Sequence, residues 1–132
     1  MNYAEIAKDA TFLHEKIVGA ILVRKGNLLA AFAKPKVPMP QKDKLTELIV
    51  QAELVLSISR RNTSIFGEVK VVSVQHSILT IFVLPVIGDV ALAFAIHGSA
   101  GVDYDYEELT GRVNKFVSDR ASSANGSALN KH

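Results

Sequence analysis

The apolar positions of this chain change their period several times, and each change marks an element. Tyr3, Ile6, Ala10 and Leu13 recur at steps of three and four, which predicts a modest amphipathic helix over 3–15. Residues 17–25 (IVGAILVRK) are an apolar run with little alternation, the pattern of a strand covered on both faces. Gly26-Asn27 is a turn pair, and 28–33 (LLAAFA) reads as the returning strand of a hairpin. Pro35, Pro38 and Pro40 crowd the next link, 34–40, and exclude regular structure there.

Residues 41–60 predict the longest helix, without Gly or Pro and with good helix formers in its first half. Projected at about 100° per residue, Leu45, Leu48, Ile49, Ala52 and Leu56 share one face, with Val55 at its margin. Val50, Leu54 and Ile58 form a second row on the opposite side. A helix that is apolar on two sides is buried on two sides, so this row is the candidate protein interface.

Residues 65–75 (IFGEVKVVSVQ) predict a strand whose charges, Glu68 and Lys70, mark it as a sheet edge. The most apolar stretch, 78–96, is long enough to be taken for a membrane span. Pro85, Gly88 and Asp89 interrupt its centre, and its β-branched first half favours two buried strands, 78–86 and 90–97, around a Gly-Asp turn. Asp105 and Glu108 stand where a capping box opens a helix over about 104–119, carrying Leu109, Val113, Phe116 and Val117. The closing residues, SDRASSANGSALNKH, are small and polar without periodicity, so a domain over 1–118 and a disordered tail over 119–132 are expected. The order α-β-β-α-β-β-β-α is that of an α+β domain, a five-stranded antiparallel sheet with helices on both faces.

Composition narrows the chemistry. The chain has 132 residues, 48% of them hydrophobic, which fits one domain with one core. It has 15 Lys and Arg against 13 Asp and Glu, a net charge of +2, which is not the basic footprint of a nucleic-acid binder. The absence of cysteine removes disulfides, thiolate zinc and thiol catalysis, and suits a reducing, cytoplasmic setting. The first residues, MNYAEIAKDATF, include acids and no apolar core, so no secretory signal is expected in them.

His14, His76, His97 and His132 have no metal-ligand spacing, and no phosphate loop, dinucleotide fingerprint or nucleophile elbow occurs. Gly98 and Gly101 precede the last helix, where Asp103 and Asp105 would repel an anion. Asp103-Asp105 and Glu107-Glu108 are read as capping residues. No catalytic residue, cofactor, metal or small-molecule substrate is therefore expected. Lys34, Lys36, Lys42 and Lys44 surround the proline link as candidate contacts to an acidic partner, while Arg60 and Arg61 suit a helix C-terminus.

Three segments together resemble a known family. IVGAILVRKGNLLAAFA, the long helix after it, and LTIFVLPVIGDVALAFAIHG are similar to the opening hairpin, central helix and paired strands of roadblock / dynein-light-chain-type domains, close to longin and profilin-like sheets. The resemblance covers about residues 3–118, and the proline-dense link departs from it. It implies the long helix on one face of the sheet and the terminal helices on the other. It also implies a homodimer with long helices side by side and edge strands joined, and a non-enzymatic role as partner, scaffold or regulator of a small Ras-like GTPase. Prokaryotic members often accompany a GTPase of the gliding-motility type. The dimer interface expected is then Val50, Leu54 and Ile58 with Glu68, Val69 and Lys70. Two other readings stay open: a small-ligand sensor or enzyme on a profilin-like sheet, and a purely structural self-assembling subunit.

Overall fold

The computed structural model describes residues 2–37 and 40–130; side chains are described through Arg120, except that of Lys42. The chain runs α1 (Tyr3–Ala10), β1 (Ile17–Arg24), β2 (Asn27–Ala33), α2 (Lys42–Arg60), α3 (Thr63–Phe66), β3 (Val72–Gln75), β4 (Leu79–Ile87), β5 (Val90–His97) and α4 (Tyr106–Asn130). The strands form one antiparallel sheet in the order β2-β1-β5-β4-β3. The α+β class and the predicted order of strands and main helices are what the structure shows.

Strand alternation divides the core in two. Ala20 and Leu22 of β1, Phe82 and Leu84 of β4, and Leu92, Phe94 and Ile96 of β5 point to the side covered by α1 and α4. Phe82 and Phe94 stack there at 4.9 Å. Leu109, Val113 and Phe116 bring α4 onto this side at helical spacing. Val23, Val83, Ala91 and Ala93 point the other way and meet Ile49, Ala52 and Leu56 of α2. The small residues of β5 on that side let the helix approach closely.

The turns follow local chemistry. Lys25 and Gly26 both have positive φ, 48° and 79°, as a tight two-residue hairpin turn requires. The turn therefore sits one residue before the Gly26-Asn27 pair that the sequence points to, and Asn27 already belongs to β2. Pro85 lies beyond the stretch of β4 that pairs with β3, so its missing N–H disturbs no bond on that side.

Three expectations need correction. First, α1 stops at Ala10, not near residue 15. The N–H groups of Thr11, Phe12 and Leu13 reach back three residues to Lys8, Asp9 and Ala10, which tightens and ends the helix. Second, 65–75 is not one strand. Ile65 and Phe66 belong to α3, whose N–H groups bond to Asn62, and Gly67 at φ 87° turns the chain out of it. Only Val72–Gln75 pairs with β4, so Glu68, Val69 and Lys70 precede the edge strand. Third, α4 continues to Asn130, past the end expected near 119. The run of Ala and Ser after Arg120 is compatible with a helix backbone. Of the tail expected at 119–132, residues 131 and 132 lie outside the described residues.

The face assignment of α2 is open to direct test. Leu56 is 3% exposed and seated on the sheet. Leu56→Ala is expected to lower unfolding free energy by about 2–5 kcal/mol in urea titrations.

Candidate functional site

The outer side of α2 is the feature that stands apart from the rest of the surface. Val50, Leu54 and Ile58 are 56, 57 and 52% exposed, three large aliphatics at steps of four. They lie opposite Ile49, Ala52 and Leu56, the residues that hold α2 to the sheet. Two residues separate α2 from α3, which carries Ile65 and Phe66, 73 and 80% exposed. The sequence reading put that pair at the start of a strand and so missed it. The Asn-Thr-Ser run at 62–64, typical of a helix start, and Gly67 were the signals that could have revealed it.

The other residues singled out in the sequence do not form one site. Glu68 and Lys70 are exposed in the segment leading into β3, and Val69 is half-buried against the α2 side of the sheet. Lys34 is turned inward. Its Nζ donates to the carbonyls of His14 (3.0 Å) and Glu15 (3.2 Å) and sits 5.8 Å from the Phe12 ring centre. Burial holds its ammonium below the usual lysine range, offset in part by Glu15. Lys34 is thus a strap across the loop before β1. Lys36 is exposed at φ 70°. Lys44 pairs with Glu47 at 3.1 Å. Lys42 opens α2, and its side chain lies outside the described residues.

The end of the sheet before α4 has the richest polar chemistry, and that chemistry is engaged in holding the loop. Ser99 N–H donates to Asp103 Oδ2 at 2.8 Å and Lys16 Nζ donates to Oδ1 at 3.2 Å. These two donors hold the Asp103 carboxyl below the ordinary carboxylate range, the Ser99 backbone first and Lys16 second. Gly98, at φ 89°, makes room for it, because a Cβ there would lie 2.0 Å from Asp103 Oδ2. Asp105 accepts from Glu108 N–H at 3.0 Å, the N-cap bond that starts α4. A shallow open cleft of about 490 Å³ lies along residues 101–107. Among the described residues no group of three His, Asp or Glu side chains is arranged to hold a metal ion. Two of its acidic side chains, Asp103 and Asp105, are engaged in the loop and cap bonds just described. Among the described residues no helix is long and apolar enough to cross a membrane.

Comparison with known proteins defines the class of fold. No protein-family model matches the chain, and no curated protein matches it by sequence. Solved structures do. A Roadblock/LC7 domain from Streptomyces avermitilis superposes with a TM-score of 0.72 at 15% identity, over 94% of this chain and 98% of that one. MglB of Myxococcus xanthus gives 0.69 at 13% identity, over 96% and 99%. A structure described as MglB with tetrameric arrangement gives 0.63 at 14% identity, over 86% and 80%. This chain has the roadblock-type fold. Within that class it is similar in architecture to the MglB structures along nearly its whole length.

The Asp103 contacts make the stability of this end of the sheet depend on pH. A carboxyl held below its unfolded pKa of about 3.9 stabilises the fold above that value and loses the contribution as pH falls through the folded value. Asp103→Asn is therefore expected to be less stable than the native chain at pH 7. The gap between their urea midpoints should close once the native carboxyl is protonated in acid. A gap that persists unchanged would show that the ionised carboxylate contributes nothing.

Proposed function

We propose that this chain is a non-enzymatic, dimeric interaction module that binds, scaffolds or regulates a small Ras-like GTPase in the cytoplasm. The observation that carries the reading is the exposed row Val50, Leu54 and Ile58, on a helix whose other side is already seated on the sheet. Such a row is stable in water when a second copy covers it. A two-fold axis along α2 does this with one surface used twice. The edge contact of that dimer narrows to β3, with Glu68, Val69 and Lys70 at its entrance and not within it. The roadblock resemblance suggests the GTPase, and the fold shared with MglB is compatible with it. Two α2 helices side by side would offer one composite surface; Lys36, exposed in the link before α2, adds positive charge near it, whereas Lys44 is paired with Glu47. Rim charge of this kind acts chiefly on association rate. An effect on hydrolysis would come from repositioning the partner's own switch loops.

The triple variant Val50→Glu, Leu54→Glu, Ile58→Glu tests both halves of the proposal, because its changes avoid every residue that anchors α2 to the sheet. It is expected to be a folded monomer by circular dichroism and light scattering, and to lose binding to the GTPase that the native protein captures. Titration of the native protein against candidate small GTPases, in GDP and GTP forms, should give binding in at least one state. Nucleotide hydrolysis by this chain alone, or no binding to any GTPase, contradicts the proposal.

A further inference from the structure

The two edges of the sheet are built differently. β3 is four residues long and is led in by Glu68 and Lys70. β2, at the other edge, is seven residues long, NLLAAFA, with no charge and no proline. Long uncharged edges are the ones that proteins otherwise shorten, charge or cover. The Lys34 N–H donates back to the Val18 carbonyl at 2.9 Å. By antiparallel alternation, the N–H and C=O groups of Ala33 and Ala31 then face away from β1, toward the open side.

Both faces beside this edge carry exposed apolar surface. Phe12, 64% exposed, stands over Phe32 on the α1 side, with ring centres 6.4 Å apart. Leu28, 40% exposed, is paired with Val23 and so points to the α2 side. A strand added here would find an apolar seat for its side chains on each face in turn. Positive charge brackets the strand. Lys25 precedes it, 79% exposed and only loosely paired with Asp89 at 3.8 Å, and exposed Lys36 follows it.

We infer that the β2 edge is a docking site for an extended peptide segment of a partner protein, apolar at its centre and acidic at its ends, which adds to the sheet as a sixth strand. Charge decides against a second copy of this chain. Antiparallel pairing of β2 with itself, centred on Ala30, sets Lys25 of one copy opposite Pro35 of the other and diagonal to exposed Lys36. Like charges on that diagonal disfavour the pairing. The same lysines attract acidic flanks. The site lies at the opposite edge of the sheet from β3.

The test uses the full-length chain, labelled with nitrogen-15, and three synthetic nine-residue peptides. One has an alternating valine-threonine centre between acidic pairs; one has the same centre between lysine pairs; the third is the acidic peptide with alternate amides N-methylated. The acidic peptide is expected to shift the amides of residues 27–33. It should bind about tenfold more tightly than the lysine peptide, and N-methylation should abolish binding. Ala31→Pro removes an outward N–H and should abolish binding while sparing the bonds to β1. Lys25→Glu with Lys36→Glu changes no backbone donor and should reverse the preference toward the lysine peptide. The triple glutamate variant of α2 should bind the acidic peptide as the native chain does, so failure here is separable from failure of the dimer. Equal binding of acidic and lysine peptides, shifts confined to other strands, or no shift at millimolar peptide overturns the inference. So does a fall in the solution mass of the native assembly on Ala31→Pro, which would show that β2 is already paired with a second copy.

Discussion

A sheet whose central strands are apolar on both faces must be covered twice, and in a chain of 132 residues the covering helices are few. Here β1, β5 and β4 send Leu22, Leu92 and Phe82 to one side and Val23, Ala91 and Val83 to the other. The first side receives two helices, α1 and α4, joined by Arg120 reaching Asp9 at 3.2 Å and Arg112 reaching the Leu13 carbonyl at 3.0 Å. On the second side, the buried helical residues among those described all come from α2. A single helix seals a sheet face with one stripe of its surface and leaves the opposite stripe in water. In this chain that opposite stripe is aliphatic. That exposed stripe is what the proposed dimer would cover.

The hydrophobic pattern carries this much of the architecture because it is a one-dimensional record of which faces are buried. Unbroken apolar runs marked β1, β4 and β5, and two apolar rows on α2 marked its two sides. What the pattern does not record is competition between local bonds. Val69 and Val71 alternate with Glu68 and Lys70 as a strand would, yet the chain around Asn62 closes another helical turn first, and pairing begins only at Val72, after Gly67. Thr11 is similar: its hydroxyl donates to the Lys8 carbonyl at 2.7 Å at the place where periodicity alone would carry the helix on.

The candidate site divides along the same line. The α2 row could be read from spacing because exposure of a helix face is a matter of angle. The fate of each lysine could not. Lys34 and Lys36 are two residues apart and look equivalent in sequence, but one amino group is drawn onto two loop carbonyls while the other side chain is exposed. Asp103 and Asp105 were identified as residues serving the start of the last helix. Asp105 alone caps it, whereas Asp103 closes the loop onto Ser99 and Lys16, residues near and far in the chain. Partners distant in sequence leave no local spacing to read.

The account rests on α2 being covered on both sides when the protein is in water, and the mass of the native chain in solution tests this most directly. Sedimentation equilibrium at micromolar concentration should return twice the 14.3 kDa of one chain, or a larger even multiple. A single species of 14.3 kDa, unchanged as the concentration is raised, would mean that Val50, Leu54 and Ile58 stay in water, and would contradict the account.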